Sequence, residues 1–450
     1  MIKRRLAVSG FILAIALAGQ ASGETLQDAV QTAYMNNPQL EAQRQQAAVA
    51  HEQLAQARSQ RRPTVTLSGS LGYESVDTNR IFTTAIGDRP VASAQLETVL
   101  PVYTGGRIKS GIRQAEAGIG VANAQLEGVS QDLILQVITS YVDVLRDRET
   151  VLIRQNSVDL LLEQVRAAQD RFDVGVVTRT DVAQSEARLE GSKAALASAE
   201  ANAEGTMAAY AFLVGVEAGN LAPPPPAPTL PGTLEEATDI ALGQSPDIEA
   251  SRFNERAASE AVKTAYGALK PTVSIVGAAS VQETYDNNFR DTSVSATARA
   301  TIPLFQGGLI RSQVRSAKLR REQARLQTDN AERQIRAQVA QAWYGNIAAN
   351  RAIDASARQV EAAEIAYEGA QAELAVGVRT TLDVLDQEQQ LLEARLNLIQ
   401  SERNAYVAAH QLLRAMGALD IERLDLAVPI YDPQDYGDRV RRNWLLTDIQ

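Results

Sequence analysis

Residues 172–182 read FDVGVVTRTDV and residues 374–384 read LAVGVRTTLDV. Gly377 follows Gly175 by 202 residues, and Asp383 follows Asp181 by the same 202. Used as a ruler, this pair of turns exposes a repeat through most of the chain. TLQDAVQTAYMNNPQLEA, from Thr25, returns as TLEEATDIALGQSPDIEA from Thr233, and RRPTV around Pro63 returns as LKPTV around Pro271, both 208 residues later. LPVYTGGRI around Pro101 returns as IPLFQGGLI around Pro303, now at 202. The first half therefore carries six extra residues between its two prolines, which marks a loop tip tolerant of insertion. Between the halves, NLAPPPPAPTLPG favours an extended link without helix. The expected segments are a leader over 1–23, a first repeat over 24–222, a linker over 223–232, a second repeat over 233–419 and a C-terminal periplasmic segment over 420–450.

The leader reading rests on Lys3, Arg4 and Arg5 ahead of an apolar Leu6–Ala18 run, with Ala21 and Gly23 spaced for signal peptidase. The run is shorter than the ~20 residues a spanning helix needs. The 450 residues include 54 acidic and 44 basic ones, for a net charge of −10, and no basic block stands out. A nucleic-acid partner is thereby disfavoured. The absence of cysteine removes disulfides, thiol catalysis and an N-terminal lipid-anchoring thiol. The two histidines, His51 and His410, read as isolated surface residues within helices.

Within each half the period changes. Residues 39–62 read as helix, and alternation follows the first proline. Val65, Leu67, Leu71 and Tyr73 alternate with Thr64, Thr66, Ser68 and Ser70; Ala92, Ala94 and Leu96 alternate with Ser93, Gln95 and Glu97. Val273, Ile275, Ala279 and Val281 oppose Ser274, Ser280 and Gln282, while the even positions from Val294 to Leu304 oppose Ser293, Ser295, Thr297, Arg299 and Thr301. These patterns predict four strands in two hairpins, over 63–104 and 271–306, with tips at 77–90 and near Asp286–Asp291. Transmembrane strands need ~9–11 residues with alternating faces. Tyr73, Phe82, Tyr103, Tyr285, Phe289 and Phe305 are expected near strand ends as an aromatic girdle. After each second strand a proline-free run, 105–172 and 307–374, predicts a helix ~100 Å long. Ile108, Ile112, Ala115, Ile119, Ala122, Leu126, Val129 and Leu133 form a heptad seam on the first. Each Val-Gly-Val then turns the chain into a returning helix, 181–214 or 383–416.

Four strands cannot close a barrel, and an open edge in hydrocarbon leaves backbone groups unpaired at several kcal/mol each. The chain is expected to oligomerise, with Glu97 and its repeat-equivalent Arg299 facing a watery lumen. A soluble periplasmic coiled-coil scaffold or adaptor is the alternative; it accounts for the leader and the heptads, not for four alternating strands. GGRIKSG (105–111) lacks the spacing of a phosphate loop, and no catalytic triad, metal cluster or dinucleotide fingerprint is present, so neither enzyme activity nor a cofactor is expected.

The two-fold repeat, the paired PTV prolines, the Pro-x-aromatic-x-Gly-Gly exits at 101–106 and 303–308 and the two Val-Gly-Val turns together resemble the TolC family of outer-membrane channel proteins. The resemblance implies a mainly α protein with transmembrane β: a homotrimer whose twelve-strand barrel continues as a twelve-helix periplasmic α-barrel. It implies the exit duct of a tripartite efflux or type I secretion system, with a periplasmic adaptor (membrane fusion protein) and an inner-membrane ABC or RND transporter as partners, and outer-membrane lipid around the barrel. The ending YDPQDYGDRVRRNW resembles type I secretion members.

The two turns differ where gating is expected. Asp383 and Asp386 share one helical face, while the first copy has Asp181 but Gln184; Arg379 stands where the first copy has Val177. Helix capping accounts in part for Asp181 and Asp383. The resemblance places an aspartate ring on Asp383 and Asp386, and a closing link from Arg379 to Thr180 and Asp181 of a neighbouring hairpin. The Gly175 and Gly377 tips are the expected adaptor-docking points.

Overall fold

The computed structural model describes residues 23–80, 83–284, 289–421 and 431–442. The expected leader lies, apart from Gly23, outside them. The first half runs α1 (Leu26–Asn36), α2 (Pro38–Ser59), β1 (Thr64–Arg80), β2 (Thr83–Tyr103), α3 (Arg107–Asp173) and α4 (Arg179–Val214). The second runs α5 (Leu234–Gln244), α6 (Pro246–Gly267), β3 (Thr272–Thr284), β4 (Phe289–Thr301), α7 (Leu309–Ala375) and α8 (Thr381–Ala415), and α9 (Pro433–Arg442) follows. Both long helices have 67 residues. The expected helix at 39–62 has a separate helix ahead of it. Asn37 breaks the two apart, its side chain accepting from the backbone N–H of Gln39 and Leu40 at 2.9 and 3.3 Å. Pro38 then occupies the first helical position, where its missing N–H costs nothing.

The four strands form one antiparallel sheet in the order β1-β2-β3-β4. They hold 17, 21, 13 and 13 residues, more than the minimum for crossing a bilayer. β2 meets β3 only from Val91 onward, so the first hairpin runs past the second. Tyr73 consequently sits inside β1 rather than near its end. Tyr103 closes β2 and Phe305 follows β4, as expected of a girdle. Phe82 and Tyr285, and the side chain of Phe289, fall outside the described residues. The alternation of the fourth strand continues to Leu304, but the ladder stops at Thr301 because Pro303 has no N–H to donate. In β2 the corresponding Pro101 is kept within the strand at a register shift.

The chain divides into two compact units, and the boundary falls within α3: Val137–Pro226 go with the described residues up to Thr32, and Ala33–Gln136 go with the chain from Ala227 on. In the first unit Tyr141 and Tyr210 are wholly buried, as are Ala29, Val137, Ile138 and Val144. In the second, α7 lies against α5, α6 and α8, and α9 against α2. Leu412, Met416 and Leu419 are buried there, each contributing about 1.5–3 kcal/mol. Ala237, Ala241 and Ala394 are fully covered, which lets backbones approach closely.

The histidines differ from the surface expectation: both are buried. Gly437 of α9 covers His51 so closely that a side chain there would overlap Nδ1. His410 packs on the Tyr406 ring at 4.6 Å between centroids, with Nδ1 2.8 Å from the Tyr406 carbonyl. Burial depresses the pKa of each. No helix among the described residues is long and apolar enough to cross a membrane.

Candidate functional site

The register sorts the sheet by chemistry. Residues paired across antiparallel strands share a face. Thr66, Glu97, Ala278 and Ser295 therefore line up on one side. Ser68, Gln95, Ser280 and Thr297 lie on that side, and so does Arg299, through its pairing with Ser274. Serine hydroxyls bond across it, Ser70 to Ser93 at 2.8 Å and Ser280 to Ser293 at 2.9 Å. The opposite face carries Val65, Leu67, Leu71, Leu96, Ile275 and Val294. Leu71 is 85% exposed and Val294 82%. One side is thus chemically suited to water and the other to hydrocarbon. Glu97 and Arg299 are brought to the same polar face, four residues apart along the strand direction and on different strands. β1 and β4 are the sheet's edges.

The Val-Gly-Val turns are built alike. Gly175 and Gly377 both take φ 77°, the left-handed region that favours glycine. Val176 N–H donates to the Arg171 carbonyl at 2.8 Å, and Gly175 N–H to the Phe172 carbonyl at 2.8 Å. The second turn repeats this with Val378 to Glu373 at 2.9 Å and Gly377 to Leu374 at 3.0 Å. These paired bonds close the last helical carbonyls in a Schellman motif. Because the backbone satisfies itself, the flanking side chains are free to face outward. Val174, Val176, Val376 and Val378 are each more than 70% exposed.

A capping box starts the returning helix at each turn. Thr178 donates through its N–H and hydroxyl to Asp181 Oδ2, at 2.8 and 2.9 Å. Thr380 does the same to Asp383 Oδ2, at 3.0 and 2.7 Å. These bonds hold both carboxyls below the usual range: backbone donation dominates for Asp181, and the Thr380 hydroxyl for Asp383, which Arg379 assists. Capping therefore fully engages one oxygen of each aspartate. Thr180 lies exposed in the first turn of α4, two residues beyond the cap. Arg379 pairs with Glu373 inside its own turn. The first copy has Val177 and Arg171 at these positions, so only the second turn has such a pair. Asp386 follows Asp383 by three residues on α8 and is half-buried.

A polar anchor in the first unit has no sequence signature. Tyr141 donates to the carbonyls of Glu24 and Ala222 at 2.8 and 2.6 Å, while Tyr210 donates to Glu24 Oε1 at 2.7 Å. Burial pushes Tyr141 up to about 12 and Tyr210 higher still, with the Glu24 carboxylate adding to both. Among the described residues no group of histidine and carboxylate side chains could hold a metal ion.

A long helical body carrying a four-stranded sheet with one lipid-suited face defines an outer-membrane channel. A family model described as Outer membrane efflux protein matches residues 29–216 and 237–418. Outer membrane efflux protein BepC of Brucella suis is 31% identical over 449 residues, covering 98% of this chain and 96% of the relative. Outer membrane protein TolC of Escherichia coli is 24% identical over 442 residues, covering 92% and 87%. The Campylobacter jejuni CmeC outer membrane channel superposes with a TM-score of 0.78 at 17% identity, covering 97% of each chain. The chain belongs to the outer membrane efflux protein family. It is a channel of the outer membrane extending into the periplasm, and not an enzyme.

Proposed function

We propose that three copies assemble into one duct: a twelve-strand β-barrel in the outer membrane, continued by a twelve-helix α-barrel in the periplasm. The observation that carries this is the sheet itself. Its faces are segregated by chemistry and, among the described residues, both its edges are unpaired, an arrangement stable in hydrocarbon only when neighbouring copies close the ladder. Glu97 and Arg299 then line the lumen. The duct passively conducts substrates delivered by an inner-membrane ABC or RND transporter through a periplasmic adaptor, in tripartite efflux or type I secretion. Adaptor docking falls to the exposed valines around Gly175 and Gly377, because apolar tips on a water-filled side call for a protein cover.

Gating belongs to the same tips. Asp383 and Asp386 from three copies place six carboxylates at the mouth, attracting cations. Arg379 links to Thr180 and Asp181 of a neighbouring hairpin in the closed state, exchanging Glu373 for an intermolecular partner. Single-channel recording of the purified protein in planar bilayers tests the reading. Small cation-selective openings support it, together with a heat-resistant trimer in detergent-extracted outer membranes. A monomer that stays in the soluble fraction sinks it.

A further inference from the structure

Where the four strands meet the periplasmic helices, the charge is all of one sign. Moving away from the strand ends, the first acidic residues are Glu52 before β1, Glu116 after β2, Glu260 before β3 and Glu322 after β4. The intervening segments hold thirteen basic residues and no acidic one, in a chain whose net charge is −10. Arg61, Lys109, Arg113, Lys270, Arg311 and Arg315 are all exposed. Among the described residues, the ion pairs Arg58–Glu116 at 3.5 Å, Lys263–Glu260 at 2.6 Å and Arg325–Glu322 at 3.6 Å do not include any of these six.

Packing tightens the cluster. Gly105 takes φ 65°, and a Cβ there would stand 2.8 Å from Lys270 Cβ. A Cβ on Gly267 would stand 2.6 Å from Arg107 Cγ. The two glycines thus let the end of α6 and the start of α3 close on each other, with Lys270 against Gly105 and Arg107 against Gly267. Like charges gathered this way repel unless an anion joins them. Beside them stand exposed apolar side chains, Leu304 at 92% and Phe305 at 88%, with Val102 and Tyr103 on the other hairpin. These side chains form an apolar belt at the strand ends.

We propose that this basic collar is a docking surface for the anionic phospholipid headgroups of the periplasmic leaflet, with the adjoining apolar belt set among their acyl chains. The inference rests on the membrane-spanning reading of the sheet and adds a headgroup preference to it. Juxtamembrane lysines and arginines are the usual partners of anionic leaflets, and aromatic rings settle at the same depth. The collar also fixes how deep the sheet sits, because its charges stop at the headgroup layer.

The test uses the full-length mature protein, purified in detergent and stripped of lipid. Phosphatidylglycerol, phosphatidylcholine or inorganic phosphate is added, and the thermal midpoint and the lipid retained on native mass spectrometry are read. Phosphatidylglycerol is expected to raise the midpoint and to be retained, and phosphatidylcholine and free phosphate are not. The quadruple variant Lys109→Gln, Lys270→Gln, Arg311→Gln, Arg315→Gln should lose about tenfold or more in phosphatidylglycerol retention. A charge-keeping variant, Arg311→Lys with Arg315→Lys, should retain it, which separates loss of charge from loss of fold. Equal retention of both lipids, an unchanged quadruple variant, or an equal shift with inorganic phosphate overturns the proposal. Liposome flotation separates the two levels of failure. Protein that inserts without headgroup preference defeats the collar alone, whereas protein that does not insert defeats the membrane reading with it.

Discussion

Tyr210 donates its hydroxyl to Glu24 Oε1 at 2.7 Å, linking the far end of α4 to the first described residues of the chain. The same stretch is held by a parallel bridge between Glu24 and Leu221. A bond to a charged acceptor is worth about 1.5–3 kcal/mol, and partial exposure of this one argues for the lower end. Tyr210→Phe should therefore lower the denaturant or thermal midpoint while leaving helix content unchanged. A midpoint equal to wild type would mean that the anchor contributes nothing.

At the tips, Arg379→Ala should raise single-channel conductance, because the closing link proposed for it would be lost. Glu373→Gln should lower it, since the guanidinium is released from its partner in the same turn. Asp383→Ala with Asp386→Ala should reduce cation selectivity. Asp383 also caps α8, so its separate replacement by Asn, which keeps a capping oxygen, distinguishes lost charge from a frayed helix. Unchanged conductance in both Arg379→Ala and Glu373→Gln would exclude this pair from gating.

On the sheet, Leu71→Arg and Ser70→Arg place the same charge on opposite faces. A charge on the lipid side costs about 2–4 kcal/mol near the midplane and much less on the lumen side. Membrane insertion or trimer yield should fall sharply for the first and little for the second. Equal yields would contradict the assignment of faces.

Gly105→Ala should be poorly tolerated, at about 1–3 kcal/mol, because it combines a left-handed backbone with contact against Lys270. Gly111→Ala, at a helical position with open space around it, should be neutral or stabilising by up to about 1 kcal/mol. Thermal melting of the two variants compares them directly.

Burial depresses His410 in the folded state, so the unfolded chain binds its proton first as pH falls. Stability is intact above the ordinary histidine value of about 6.5 and declines as pH drops through it toward the lower folded value. His51, also depressed by burial, adds in the same direction, partly offset by Asp432 and Asp438. The melting temperature should fall between about pH 7 and pH 5, and less steeply in His410→Gln. A flat profile in both would show that neither imidazole resists protonation.

Much was legible in the chain alone because the signals are periodic. Alternation fixed which residues of each strand share a face, the proline-free runs delimited the two 67-residue helices to within two residues, and a repeated glycine marked both turns. The break at Asn37 was missed, since it depends on one side-chain cap within an otherwise helical composition. Local rules likewise described Asp181 and Asp383 as caps, because a capping box needs only neighbours in sequence. The tertiary structure alone decided the rest, where the partners lie far apart along the chain. It buried both histidines, one beneath Gly437 of α9, joined Glu24 to Tyr141 and Tyr210, and set Lys270 against Gly105 and Arg107 against Gly267. Periodicity reports which side of an element turns inward. It carries no record of which distant element arrives there, because that is settled by packing, and packing is a property of the folded chain as a whole.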